Sequence, residues 1–377
     1  MVKDKCKVLY LVSTLASCGP TNQLYEIVKN LNHNIFQPII MTISPEEKNS
    51  RKQQFLDLGI RIESLNFSRK QFLFGYRKKL RTLILESSPD IIHSYGFRAN
   101  VFFSELNMAI PHCTTLRSFF QEDYPSHYGL FKGNIMLIKH LQVLKKVDNP
   151  ICCSRTLADR YQPVFGKTLV YINNGVDIDT YFPCKTINEK YELRKKLGLD
   201  NSKHIFLSVG RLVDIKNPIG LIKAFKQSAI SGKAVLVILG NGPLLEQCRE
   251  LADKSIILKG HVDNVADYMR ACDTYISAST TEGFPNSVLE AAASGLNLIL
   301  TDINQHKEMF QIPLKDLDYF EPWNLKLLSH LLFQYAYKEN ITANIPITTH
   351  IRENFSSKSM SYKYQQIYLQ LIQKDRI

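Results

Sequence analysis

The sequence lacks several features that would assign a class at once. No window of about 18 residues is continuously apolar, so no transmembrane helix is expected. The eight cysteines, at positions 6, 18, 113, 152, 153, 184, 248 and 272, form no C-x-x-C and have no regular spacing. Several lie in apolar strand-like runs, Cys152 and Cys153 among them, which points to reduced, buried thiols in a cytosolic protein rather than to disulfides or a metal site. There is no internal short repeat and no low-complexity tract. No G-x-G-x-x-G followed by an acidic residue is present, which disfavours an NAD enzyme. No nucleic-acid recognition motif accompanies the basic charge, so nucleic acid is not an expected partner.

What is present fits a soluble globular chain of two domains: 377 residues with 45% apolar content. The net charge of +12 is uneven. Residues 1–185 hold 24 Lys and Arg against 15 Asp and Glu, and residues 186–377 hold 23 against 20. The more basic half suggests an anionic surface or ligand on that side. At the start, basic MVKDKCK, apolar VLYLVSTLA and the sequence ending at Cys18 resemble a lipoprotein signal. The competing reading, a buried first strand over 7–14, is preferred. Asp4 fits a signal region poorly, and no other apolar stretch would replace that strand.

Apolar runs alternate with helix-like periodic stretches. Strands are expected at 8–13, 38–43, 60–65, 91–95, 113–116, 150–153 and 169–173, then at 205–209, 234–239, 256–259, 274–278 and 296–300. Most are continuously apolar, as in parallel strands buried on both faces. Two such series imply α/β architecture with two Rossmann-like, doubly wound parallel-sheet domains facing across a cleft. The break lies in the Asn174-Gly175 turn and the segment to Pro183. Domains are therefore expected at 1–180 and 181–356, with a last helix over 357–374 whose apolar positions are Met360, Tyr364, Ile367, Tyr368 and Leu371. Ligands of open α/β sheets bind at the carboxyl ends of strands, so the residues just after strands carry the functional interest.

Three such loops stand out. After 205–209 come Gly210, Arg211 and Lys216, two cations able to hold a diphosphate, the first as a fork and the second as a point charge. After 234–239 comes GNGP, whose Gly242 permits close backbone approach. After 274–278 comes TTEGFPNSVLEAAASG. Here Glu282 precedes a helix, Pro285 suits its first position and Glu290 lies within it. Free amides at the helix start favour phosphate or sugar hydroxyls. Glu290 can accept hydrogen bonds from two vicinal hydroxyls, as on a ribose. Loop charges, a tight turn and ordinary helix capping by Asn286, Ser287 and Glu290 are the bland alternatives.

In order and spacing, GRLVDIK, LGNGP and TEGFPNSVLEAAASG resemble the retaining, nucleotide-sugar-dependent glycosyltransferases of the GT-B fold, group 1 or family 4, with their E-x7-E motif. ICCSRTLADRY, VYINNGVDIDTYFP and the tail FSSKSMSYKYQQIYLQLI extend the likeness over nearly the whole chain. The resemblance implies that Arg211 and Lys216 neutralise the leaving diphosphate and that Glu282, as the first Glu, sits near the donor sugar. Glu290 would bind the ribose. Gly283, Phe284, Pro285, Asn286 and Ser287 would meet sugar hydroxyls and phosphate, and Gly19 and Gly242 would approach the donor. It implies a first, acceptor-binding domain with the tail helix packed back on it, and a second, donor-binding domain. No metal and no cofactor are implied; the donor would be UDP- or GDP-linked. Asp177-Ile-Asp179 resembles the D-x-D metal motif of another glycosyltransferase fold but reads as structural in this turn.

The sequence also departs from the family pattern. Arg117 stands where many relatives have a histidine. His93, Arg117, Glu122 and Asp123 are the acceptor candidates. Residues 301–306 replace a small glycine-containing loop. The expected activity is transfer of a hexosyl or N-acetylhexosaminyl group to a glycan or lipid-linked saccharide acceptor in bacterial surface polysaccharide, lipopolysaccharide or capsule assembly. A sugar-nucleotide epimerase or hydrolase, or a non-catalytic partner subunit, are the alternatives. Segment 68–83 mixes Arg69, Lys70, Arg77, Lys78, Lys79 and Arg81 with Phe72, Phe74 and Tyr76. It is read either as a contact with an anionic membrane surface, making a cytoplasmic protein peripheral on the inner face, or as a solvated helix.

Overall fold

The computed structural model describes residues 5–67, 76–230, 232–311, 313–338 and 343–374. Of the segment 68–83, Arg69, Lys70, Phe72, Leu73 and Phe74 lie outside the described residues, and Tyr76 onward lies within them. The chain divides into two units. One holds the chain up to Asn174 together with the tail from Ser357, and the other runs Gly175–Ser356. The division falls inside the Asn-Gly turn rather than at 180/181. The physical reason is local: the Val176 amide donates to the Phe355 carbonyl at 2.9 Å, and Val176 bridges to Ser356, which binds this stretch to the end of the second unit.

The first unit is built on seven strands: β1 (Cys6–Val12), β2 (Phe36–Thr42), β3 (Arg61–Ser64), β4 (Ile91–Ser94), β5 (His112–Leu116), β6 (Asn149–Cys152) and β7 (Val170–Tyr171). They form one parallel sheet in the order β3-β2-β1-β4-β5-β6-β7. The apolar run near the N-terminus is thus β1, a strand flanked by neighbours on both sides. Its side chains sort by the period of two. Val8, Tyr10 and Val12 enter one core with Leu24, Ile27 and Val28 of the helix Gly19–Lys29. Leu9 and Leu11 enter the other with Leu80, Ile84 and Phe102.

The tail helix Ser357–Lys374 covers the first of these cores through Met360, Tyr364, Ile367, Tyr368 and Leu371. The Ser361 hydroxyl donates to the Ile27 carbonyl at 2.8 Å, fixing the tail against the first helix.

The second unit holds β8 (His204–Val209), β9 (Ala234–Leu239), β10 (Ile256–Gly260), β11 (Thr274–Ser277), β12 (Asn297–Thr301) and β13 (Leu317–Phe320) in the parallel order β10-β9-β8-β11-β12-β13. β13 is not among the strands expected from sequence. It is a short edge strand, mostly half-buried and holding Asp318, so it carries no continuous apolar run. At the amino end of β11, Asp273 is buried with Lys190 and Arg194, each 2.6 Å away. All eight cysteines are free thiols; Cys18 is exposed, Cys6 and Cys184 are half-buried and the other five are buried. Among the described residues no helix is long and apolar enough to cross a membrane.

Candidate active site

In each sheet the strand order reverses at one place, between β1 and β4 in the first and between β8 and β11 in the second. Such switch points leave a crevice at the carboxyl ends of the strands, because the flanking connections run to opposite sides. Most of the candidate residues lie in loops at or beside these two places.

In the second unit, β8 leads into Gly210 and Arg211, then into a single 3-10 turn, Asp214–Lys216. Asn217 follows at φ 49° and caps the helix Pro218–Gln227 by accepting from the Gly220 amide at 3.1 Å. Gly220 is needed there, since a Cβ would stand 2.4 Å from the Asn217 side-chain oxygen. The turn aims Lys216 at the loop after β11. There its ammonium forms an ion pair with Glu282. The Thr280 amide donates to the Ile215 carbonyl at 2.8 Å, so backbone as well as charge joins the two loops.

Burial raises the Glu282 pKa, but the Lys216 ammonium, hydrogen bonds to Lys216 and Ser279, and nearby His306 outweigh it. The carboxyl ends below its ordinary value. His306 lies in the short helix Asn304–Lys307 after β12 and is fully buried. Its Nδ1–H donates to the Thr301 carbonyl at 2.8 Å. Burial lowers its pKa to about 4, against the opposing pull of the Thr301 carbonyl and Glu282, so the ring is neutral at pH 7.

The helix that follows is Asn286–Ala293, with Pro285 at the capping position rather than the first helical one. Pro285 itself has no side-chain group to cap the helix. Ser287 accepts from the Tyr275 hydroxyl at 2.7 Å, which fastens the helix start to β11. Phe284 is buried with its ring 5.7 Å from that of Phe355. Gly283 and Glu290 are half-buried on either side of the helix start.

Gly242 has a plain packing reason: a Cβ on it would lie 2.3 Å from the Leu212 carbonyl. Gly240, at φ 136°, approaches the Gly210 carbonyl in the same way. The glycines therefore let the loop after β9 lie backbone to backbone on the Arg211 loop, held by the Leu212 amide donating to the Asn241 carbonyl at 2.9 Å. The Asp177 carboxylate accepts from the Asp179 amide at 3.1 Å and from the Thr180 hydroxyl at 2.9 Å, as in a self-closed turn.

In the first unit a cavity of about 340 Å³ opens at the switch point. Loops after β1, β4 and β5 line it, with Tyr95, Phe97, Phe120, Tyr124 and Tyr128 as aromatic walls. Gly19 opens the helix Gly19–Lys29 beside it, exposed, and its neighbours Cys18 and Pro20 line the cavity. Arg117 also lines the cavity. Its Nη1 donates to Asn174 at 2.7 Å, whereas Nε and Nη2 are buried without a partner among the described residues. Asp123 lines the cavity too and accepts from the Ser118 hydroxyl at 3.0 Å.

Two acceptor candidates stand elsewhere. Glu122 is exposed and pairs with Arg160. His93 has no exposed surface: its ring nitrogens meet the Tyr368 hydroxyl at 2.8 Å and the Thr115 hydroxyl at 2.9 Å. Burial, then Arg117 and His112, hold its pKa well below the ordinary value. It joins sheet to tail helix and is not placed to touch an acceptor. Sequence reasoning missed Tyr275, Ser279 and Thr280, and marked His306 only as part of the departing loop 301–306, because their roles depend on which loops meet. The only signal in the sequence was their position just before or after apolar runs.

The fold and these two switch-point sites define a two-domain α/β protein of GT-B architecture. The profile of glycosyl transferases group 1 matches residues 189–311, and that of glycosyltransferase family 4 matches residues 18–180. The chain belongs to this glycosyltransferase family. It is 30% identical over 193 residues to UDP-Gal:alpha-D-GlcNAc-diphosphoundecaprenol alpha-1,3-galactosyltransferase of Escherichia coli, covering 47% of this chain and 48% of that one. The chain thus spans about half the length of that relative. It is 23% identical to the O-antigen biosynthesis glycosyltransferase WclY of Escherichia coli over 98% of this chain and 99% of that one. The crystal structure of Anabaena HepE in complex with UDP and glucose superposes with a TM-score of 0.80 at 17% identity, covering 96% of this chain and 99% of that one.

Proposed function

We propose that the protein transfers a sugar, with retention of anomeric configuration, from a nucleoside-diphosphate sugar to a glycan or lipid-linked saccharide acceptor in bacterial surface polysaccharide assembly. The observation that carries this is the joined pair of loops at the second unit's switch point. It sets Arg211, Lys216, Glu282 and the start of the helix Asn286–Ala293 on one edge of one sheet. Negative charge grows on the departing diphosphate during transfer. A guanidinium, an ammonium and oriented amides stabilise that charge without reorganising.

A bound diphosphate competes with Glu282 for the Lys216 ammonium. The carboxylate it releases is then free to accept hydrogen bonds from donor sugar hydroxyls. Glu290 takes the ribose hydroxyls. A uridine nucleotide is the first choice, in keeping with the UDP in the name of the galactosyltransferase relative and in the HepE complex. On the acceptor side, aromatic walls suit sugar rings, and the two unpartnered nitrogens of Arg117 suit an anionic or hydroxyl group in the cavity. No protein residue here is assigned to hold a metal or cofactor.

The test is a thermal-shift screen with UDP, GDP, ADP and CMP, followed by transfer and hydrolysis assays with the matching sugar nucleotides. A shift with UDP and an α-linked product from an α-donor are expected. Release of free or isomerised sugar with acceptor present would select the epimerase or hydrolase reading. No shift with any nucleotide would remove the catalytic reading and leave a partner subunit.

A further inference from the structure

Behind Glu282 runs a row of hydrogen-bonding groups that ends on His306. The Ser279 hydroxyl donates to the Glu282 carboxylate. Ser277 Oγ stands 3.2 Å from Ser279 Oγ, and His306 Nε2 stands 3.3 Å from Ser277 Oγ. Ser277, Ser279 and His306 are all buried. The row thus crosses from the end of β11 to the stretch 301–306, where the sequence departs from the family pattern.

The row is one proton short. On the far side of the ring, Nδ1 faces the Thr301 carbonyl at 2.8 Å. The Thr301 hydroxyl, 3.3 Å from Nδ1, donates to the Ser279 carbonyl and so offers the ring only a lone pair. Two acceptors on that side fix the proton of the neutral ring on Nδ1, and Nε2 carries none. Ser279 gives its proton to Glu282. The single proton of Ser277 can serve Ser279 or Nε2 but not both. A proton on Nε2 fills every link in one direction: ring to Ser277, Ser277 to Ser279, Ser279 to the carboxylate.

Charge decides when that proton is held. Burial, and to a lesser degree Lys216, lower the pKa of the ring to about 4, against the Thr301 carbonyl and Glu282. Asp302 and Lys307, on the same turn as the ring, pair with each other at 2.5 Å. The charges that act on the ring are therefore Glu282, which favours its protonation, and Lys216, which opposes it. A diphosphate that takes the ammonium cancels the second and leaves the first.

We propose that His306 is a positioning residue for Glu282, acting through Ser277 and Ser279 and taking a solvent proton on Nε2 when the donor's diphosphate draws Lys216 away. This rests on the reading of the second unit's switch point as the donor site. The Nε2 lone pair binds the proton, the ring becomes an imidazolium, and no other covalent bond changes. The completed row keeps Glu282 ionised and aimed at the donor sugar, where burial without Lys216 would otherwise protonate it.

The test is nitrogen-15 NMR of the histidine rings in the full chain, with His306→Gln assigning the signal. Spectra are taken from pH 5 to pH 7.5 for wild type alone, for wild type with UDP-galactose and for Lys216→Met alone, with Lys216→Gln in its place should that variant not fold. UDP-galactose is the probe because its diphosphate has no group that titrates in this range. Wild type alone should show a neutral ring with its proton on Nδ1. UDP-galactose and Lys216→Met should each raise the pH at which the ring is protonated by about one unit or more. Ser277→Ala, which cuts the row and touches neither the Glu282 carboxylate nor the Thr301 contact, should remove most of that rise. In transfer assays Ser277→Ala should lower kcat about tenfold and leave KM for the sugar nucleotide within about twofold, since the row acts on the group that faces the sugar and not on the diphosphate. A ring equally neutral in all three samples, or a rise that Ser277→Ala leaves unchanged, overturns the proposal. A rise in Lys216→Met with none on UDP-galactose upholds the link between ring and carboxylate and counts against the uridine donor instead.

Discussion

Lys216 and Glu282 form an ion pair across the place where the strand order of the second sheet reverses. One follows β8 and the other follows β11, so neither loop is set without the other. The carboxylate is 11% exposed and the ammonium 26%. Lys216→Met removes the ammonium and leaves the carboxylate buried. We expect a loss of about 3 kcal/mol, at the low end for a broken buried pair because Lys216 reaches solvent. Glu282 then rises above its ordinary pKa, since burial remains and its main counter-charge is gone. The deficit relative to wild type should therefore shrink as pH falls. Denaturant midpoints at pH 8 and pH 5 check this, and Lys216→Met/Glu282→Gln should recover much of the stability.

Activity should not recover in the same way. Arg211→Ala and Lys216→Met are each expected to lower kcat by about a hundredfold to a thousandfold, the usual loss for one preorganised electrostatic contact. Steady-state kinetics with the sugar nucleotide identified by the screen measures it. Turnover that survives both changes would sink the assignment of the diphosphate site.

Asp273 pairs with two buried cations at the far end of the same sheet. Burial raises its pKa, but Lys190, His204, Arg194 and the Ile205 amide together bring it below the ordinary value. Asp273→Asn leaves Lys190 and Arg194 without their carboxylate. The expected cost is about 3–5 kcal/mol in chemical denaturation. Nucleotide binding by the protein that remains folded should be unchanged, because this end of the strands is remote from the switch-point loops.

Acid should destabilise the protein well above the pH at which carboxylates titrate. His112 and His140 are held at about 3, and His204 and His306 at about 4, in each case mainly by burial. His93 is lowered for the same first reason. An unfolded histidine takes up a proton near pH 6.5, whereas these native rings refuse it. Their stabilising effect is therefore complete above about pH 6.5 and is lost as pH falls toward the folded values. Each histidine contributes a slope of about 1.4 kcal/mol per pH unit in that window. Urea titrations from pH 7 to pH 4.5 give the slope, and a flat profile would refute it.

Gly242→Ala tests whether that glycine serves the ligand alone. Its Cβ would overlap the Leu212 carbonyl, so the Arg211 loop must move. A loss of about 1–3 kcal/mol is expected, together with weaker nucleotide binding. Unchanged stability with lost binding would mean that close approach of the donor, and not the loop packing, requires glycine.

Order of elements and chemistry of the loops were set by local pattern. Continuous apolar runs such as 234–239 are strands because only a doubly covered parallel sheet buries every side chain. Glycine, proline and charge directly after them mark the ends where ligands gather. The three quoted motifs, by resemblance, also carried the family. Contacts between distant segments were another matter. His93 reads equally well as a cleft residue or a core residue until Tyr368, far along the chain, closes over it. The edge strand β13 has no burial pattern to announce it. The helix Leu130–Leu144 buries His140 and Leu144 and leaves Phe131 and Ile138 exposed. Which side is covered depends on where Gly133 lets the backbone of Tyr124 and Pro125 approach. Such pairings are decided by packing in three dimensions, because burial and partner distance are properties of the assembled layers and not of neighbouring residues.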